Sequence, residues 1–217
     1  GMPAVVAKIK ELEATNNNVI KLHAGDAISG SLFFTLFKGE ADAALMNEIC
    51  FDAFVLGNHE FNEGDKGVAK FIDFLKSEKC STSVLAANIK PEIGVSPLTP
   101  NSETDYIRPY TIIEKGGMKV GIIGIDIVKK TIMSSSPDET TKFLDEAETS
   151  QKIVNELKKS GVKHIILLTH YGYKNELELA STIDGVDVII GGDSHTLLGD
   201  FEKLGLNFRK YACEPNG

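Results

Sequence analysis

No apolar run in this 217-residue sequence approaches the roughly 20 residues needed to cross a bilayer, the longest being stretches such as HIILLT and VDVII. A membrane-spanning helix is thereby excluded. Basic charge is also scarce: 23 lysines and arginines against 31 acids leave a net charge of −8 and no obvious basic patch. A phosphate-backbone binder would need such a patch to displace counterions, so nucleic acid is excluded as a partner, and a small anionic substrate would need help from a metal or a helix N-terminus. Cysteine is limited to Cys50, Cys80 and Cys213, an odd number at wide spacing, which points to neither a disulfide framework nor a zinc knuckle. Low-complexity tracts and internal repeats are absent. The opening segment GMPAVVAKIKELEATNNN has no basic region followed by an apolar core, so it is not a signal peptide.

What remains is ordinary globular composition, 42% hydrophobic and 25% charged, in a length that suits one α/β domain. The opening segment, with Pro3 in its first turn and apolar residues at 5, 6, 9 and 12, reads as an amphipathic helix. VIKLHA, FDAFVLG, TSVLAAN, KHIILLTH and VDVII read as strands, and SLFFTLFKGEADAALMNEI, GVAKFIDFLKSEK, DEAETSQKIVNELKKSG and NELELASTI as helices. YTIIEKGGMKVGIIGID is two alternating runs about Gly116 and Gly117, a hairpin that makes the sheet system mixed. Residues 91–109 read as a Pro-rich surface stretch.

One pattern recurs. An apolar strand meets a polar cluster at its C-terminal end in LHAGD, LGNHE, LLTH and IIGGDSH. Ligand sites in α/β folds form outside the carboxyl ends of strands, so four scattered clusters can meet in one place. They would bring together Asp26, Asn58, His59, His170, Asp193 and His195. Carboxylate, amide oxygen and imidazole without thiolate suit a divalent ion such as zinc, manganese or magnesium. Singly these residues have plainer readings: Asp26 as a turn or cap residue, His170 as a cap on a carbonyl, His23 and His164 as packing residues. GNHE fits neither a helix cap nor a hairpin turn.

GD at 25–26, GNHE at 57–60, TH at 169–170 and GGDSH at 191–195 resemble, in order and spacing, the calcineurin-like metallophosphoesterases. Within them the chain resembles the 5′-nucleotidase branch, and most of all the bacterial NAD nucleotidase and UDP-sugar hydrolase group. The resemblance implies a four-layer α/β/β/α sandwich of two mixed sheets carrying a dinuclear centre. It implies metal-dependent hydrolysis of nucleotide phosphate esters or anhydrides in a periplasmic, cell-surface or secreted protein. Asp26 would bridge both ions, Asn58, His170 and Asp193 would complete one site, and His195 would serve the other. His59 would be the catalytic histidine, oriented by Asn62.

Three departures qualify this. The family's opening Asp-x-His strand is not found, so 1–217 reads as an N-terminally truncated catalytic domain, without the C-terminal nucleotide-binding domain and with one ion expected instead of two. A catalytically incomplete, single-metal binding module is the alternative, and a glycine-rich α/β domain without metal the plainest one. The family's aspartate three residues after the catalytic histidine is Asn62 here, whose amide would accept from the imidazole. GDSH stands where many relatives have GHSH, adding negative charge to the site and favouring harder ions.

Overall fold

The computed structural model describes residues 1–200 together with 203 and 205; Cys213 lies outside them. Helix α1 (Met2–Thr15) starts with proline in its first turn, and its C-cap residue Asn16 returns to extended backbone. Strand β1 (Leu22–His23) is followed by α2 (Leu32–Phe37) and α3 (Glu40–Ile49). The sequence suggested one continuous helix here. Lys38 and Gly39, at φ 54° and 90°, break it, because right-handed helix cannot pass through two left-handed residues. The short α2 leaves Leu32, Phe33 and Leu36 exposed.

Strand β2 (Ala53–Val55) leads into a 3₁₀ turn over Asn58–Glu63, where a loop was expected, and directly into α4 (Gly64–Leu75). Then come β3 (Ser83–Leu85), β4 (Ile89–Pro91), β5 (Tyr110–Lys115), β6 (Met118–Asp126), α5 (Val128–Ser134), β7 (Thr141–Phe143), α6 (Glu146–Lys159), β8 (His164–His170), α7 (Tyr173–Thr182) and β9 (Val188–Ile190). The β5–β6 hairpin forms as expected, with Gly116 and Gly117 both at positive φ.

The stretch after β4 is not wholly superficial. Ser96, Leu98 and Thr99 are buried, because the buried Asp65 carboxylate accepts from the hydroxyls of Ser96 and Thr141, each at 2.5 Å. An ionisable group without water must find such partners. Its bonds fasten 91–109 to the segment that carries β7.

Four layers follow from the period-two alternation of the strands. Parallel strands β1-β2-β3 form one sheet and β5-β6-β8-β9 a mixed one, with β4 and β7 as a separate antiparallel pair. Phe54 and Val84 face a helix layer with Met46, Phe71 and Ile72. Ala53, Val55 and Leu85 turn the other way and meet Val120, Ile122 and Leu168 between the sheets. Ile123, Ile125, Ile165 and Leu167 then face the opposite helix layer with Val154, Leu157 and Leu179. Gly124 permits a close approach of the sheets, since a Cβ there would lie 2.8 Å from the carbonyl carbon of Leu85.

Cys50 and Cys80 form a disulfide, contrary to the expectation from their spacing. The reason is topological. Each precedes one of two adjacent parallel strands, β2 and β3, so a helical crossover returns the second cysteine to the same sheet end, with Cα atoms 5.1 Å apart. His23 packs edge-on against Phe51 and Phe54, as a packing residue should. His164 is exposed at the start of β8 and packs into no core.

Candidate metal centre

Strands β1, β2 and β8 end side by side, and their following residues build the site. Asp26 sits at φ 53° and Asp193 at φ 74°, left-handed conformations that aspartate tolerates better than most side chains. Around them the backbone is packed tightly. A Cβ at Gly57 would lie 2.8 Å from the Asp26 amide nitrogen, and one at Gly25 would lie 2.8 Å from His170 Cγ. Only glycine lets these loops approach so closely.

His170 lies at the centre, with its side chain almost wholly buried. Its Nδ1 is 2.7 Å from the Ala24 carbonyl oxygen, which can only accept, so Nδ1 carries a proton, and Nε2 is the nitrogen that a neutral ring would turn toward the carboxylates as a lone pair. Nε2 lies 3.0 Å from Asp26 Oδ2 and 3.7 Å from Asp193 Oδ1. It is nevertheless buried with no aligned hydrogen-bond partner, as are both Oδ1 and Nδ2 of Asn58. Such groups are rare in folded proteins because each forfeits its hydration. A ring nitrogen, two carboxylates and a buried amide oxygen are donor types that suit a divalent ion. Among the described residues no three His, Cys, Asp or Glu side chains close into a metal cage by themselves. The Asn58 amide, buried and unpartnered between Gly57, which packs on Asp26 and His170, and His59, whose N–H bonds to Asp26, is the further oxygen donor such a site would need, and its chemistry fits a divalent ion.

Electrostatics reflect this crowding. Burial pushes His170 down, but the adjoining Asp26 carboxylate outweighs it and raises the imidazole to about 9. Burial pushes Asp26 up, and the His170 and His59 contacts bring it below its ordinary value. Asp126 ends β6 in register with His170 and is raised to about 8, chiefly by burial. Only one of its carboxylate oxygens is partnered, accepting from Thr131 Oγ1 at 2.6 Å.

Glu60 was not singled out in the sequence, yet it fastens two ligand loops together. Its Oε2 accepts from the backbone N–H groups of Asp26 at 3.0 Å and Gly57 at 2.6 Å, and its Oε1 from Ala27 at 2.7 Å. Fully buried, its carboxyl is raised to about 7 by desolvation and the Asp26 charge. An acid three residues after Gly57 at the start of a helical turn was the available signal, since that position bonds back to the turn's first amide.

His59 is exposed beside this group, and its backbone N–H donates to Asp26 Oδ1 at 2.9 Å. Asn62 is near it as expected, with Nδ2 3.0 Å from His59 Nδ1. The direction of the bond differs from expectation: the amide donates and the ring accepts. Asn62 Nδ2 also donates to Ser29 Oγ at 2.8 Å, while its Oδ1 accepts from Ser135 Oγ at 3.1 Å. His195, at φ 50°, is exposed. Among the described residues no hydrogen bond or ion pair joins it to Asp26, His170 or Asp193. It lines, with Asp193, a cleft of about 600 Å³ against α7 and β9.

Residues 1–197 match the model of the calcineurin-like phosphoesterase family. The chain is 45% identical to the NAD 5′-nucleotidase of Haemophilus influenzae, covering 100% of this chain and 35% of that protein. It is 43% identical to a probable 5′-nucleotidase of Treponema pallidum, covering 94% of this chain and 32% of that one. The solved structure of Haemophilus influenzae NAD nucleotidase superposes with a TM-score of 0.85 at 44% identity, over 95% of this chain and 39% of that chain. This chain thus spans about a third of the length of the curated relatives it matches. Strand-end ligand loops, a four-layer fold and a match over nearly every described residue agree: the chain belongs to the calcineurin-like phosphoesterases.

Proposed function

We propose that this chain is the phosphohydrolase domain of a 5′-nucleotidase-like enzyme, acting on phosphate esters or anhydrides of nucleotides. The observation that carries the reading is the buried group in which His170 Nε2 lies beside Asp26 and Asp193, with Nδ1 bonded to Ala24 and the unpartnered Asn58 amide on the adjoining turn. The family is metal-dependent. In this chain the proposed ligands of one ion are Asp26, Asn58, His170 and Asp193, and manganese, zinc or magnesium suits them. Such an ion supplies a Lewis acid for the phosphoryl oxygen and lowers the pKa of bound water.

The chain's own residues would do the rest. Asn62 donates into His59 Nδ1, which leaves the proton of the neutral ring on Nε2, a donor suited to a phosphoryl oxygen as negative charge grows there. Glu60 holds Asp26 and the Gly57 turn in register, so that the Asp26 carboxylate and His59 stay together. An exported location is supported by the Cys50–Cys80 disulfide, a bond that persists in oxidising compartments. Relatives that include snake venom 5′-nucleotidases agree with it.

Titrating the purified protein with Mn²⁺ or Zn²⁺ and assaying p-nitrophenyl phosphate, AMP and NAD tests the reading. Metal-dependent turnover that Asp26→Asn abolishes is the expected result; no ion bound by the folded protein would overturn it. The exposure of His195 favours a second reading, a single-ion binding module, which differs from the first in giving no turnover.

A further inference from the structure

Lys130 is the one lysine or arginine paired with Asp193 among the described residues. Lys130, in the first turn of α5, places its ammonium on Asp193 Oδ1, the same oxygen that approaches His170 Nε2. The Asp193 side chain is 10% exposed and that of Lys130 44%, so the carboxylate is enclosed while the lysine reaches in from the solvent side. Helix α5 is firmly seated. The Val128 N–H donates to Glu146 Oε1 at 2.9 Å, Thr131 Oγ1 to Asp126 Oδ2 at 2.6 Å, and Ser135 Oγ beyond its end to Asn62 Oδ1 at 3.1 Å. Lys130 is thus delivered by a fixed scaffold and not by a mobile loop.

We propose that Lys130 is a tethered counter-cation of the centre: it holds the Asp193 carboxylate while no ion is bound, and a divalent ion must displace it to use that carboxylate as a ligand. The inference rests on the proposed metal-binding role of Asp193. An ammonium and a metal ion on one oxygen repel each other, and a like charge within about 4–6 Å disfavours a cation by roughly tenfold or more. Lys130 therefore sets ion affinity without being a ligand. In the ion-free protein it also limits repulsion between Asp193 and Asp26.

Isothermal titration with Mn²⁺ at low salt tests this on the parent protein, Lys130→Met, Lys130→Gln and Lys130→Arg. Both neutral variants should bind Mn²⁺ about tenfold more tightly than the parent, and Lys130→Arg, which keeps the charge, should bind like the parent. Thermal unfolding supplies a second measurement: the neutral variants should melt below the parent in excess EDTA, with the gap closing at saturating Mn²⁺. Affinity unchanged or weakened in a folded neutral variant would overturn the counter-cation role while leaving the metal centre standing. Failure of the parent and every variant to bind Mn²⁺ would overturn both.

Discussion

Replacing Glu60 with glutamine should loosen both ligand loops at once. The parent carboxylate accepts from the backbone N–H groups of Asp26, Ala27 and Gly57, with Ile28 a weaker fourth at 3.4 Å. Glutamine keeps one oxygen and turns an NH₂ group toward the remaining amides, leaving two buried N–H groups facing a donor. Each buried donor without an acceptor costs about 1–3 kcal/mol, so the expected loss is about 3–4 kcal/mol. Because Asp26 is held in its left-handed conformation by these bonds, ion affinity should fall as well, by roughly 10–100-fold, as for other partners that orient ligands. Urea unfolding followed by circular dichroism measures the first effect, the sequence having no tryptophan to report by fluorescence. Mn²⁺ titration measures the second. A Glu60→Gln protein within about 0.5 kcal/mol of the parent, with the same ion affinity, would refute the reasoning.

Reduction of the Cys50–Cys80 bond, or its replacement by a pair of alanines, should cost about 3–4 kcal/mol on a chain-entropy basis, read as a lower urea midpoint. An unchanged midpoint would mean that the bond does not form. His23 is held at about 4 against an ordinary 6.5, first by burial and then by the nearby His170 charge. Its folded value lies below the unfolded one, so its contribution is full above about pH 6.5 and is lost as pH falls toward 4. The parent should therefore lose roughly 3 kcal/mol more than His23→Leu across that window in parallel urea titrations. Gly124→Ala should destabilise by about 2 kcal/mol, because its methyl meets Leu85 side chain and backbone at once. Melting at the parental temperature would show that the sheets can separate there.

Much of the site could be read from the sequence because each ligand loop follows an apolar strand, and strand ends converge in this class of fold. Asp26, His170 and Asp193 do come together, with Asn58 on the turn that packs against them. The supporting residues were hidden for a common reason: apart from the Glu60–Gly57 bond, their partners are distant in sequence. Glu60 bonds to residues 26–28 and Lys130 to Asp193, and no local periodicity registers such pairs. The disulfide escaped notice likewise, since the bridge depends on parallel strand order and not on spacing. The break at Lys38 and Gly39 was missed because apolar spacing continues straight through it. Among the site residues His195 stands apart, sharing a loop with Asp193 but none of its contacts.

The disulfide closes a segment that carries β2, the turn with Asn58, His59 and Glu60, and helix α4. Asp193 instead follows a three-residue edge strand whose Val188 and Ile190 are partly exposed. One wall of the centre is therefore covalently stapled, and the other hangs on a short edge strand. Segments of that second kind open at low free energy, ahead of global unfolding. Amide hydrogen exchange should consequently be fast at 191–196 and slow at 53–60, and an ion should enter and leave from the Asp193 side. Dissociation would then be timed by the opening of that loop, while the Asn58 side keeps its shape between successive ions.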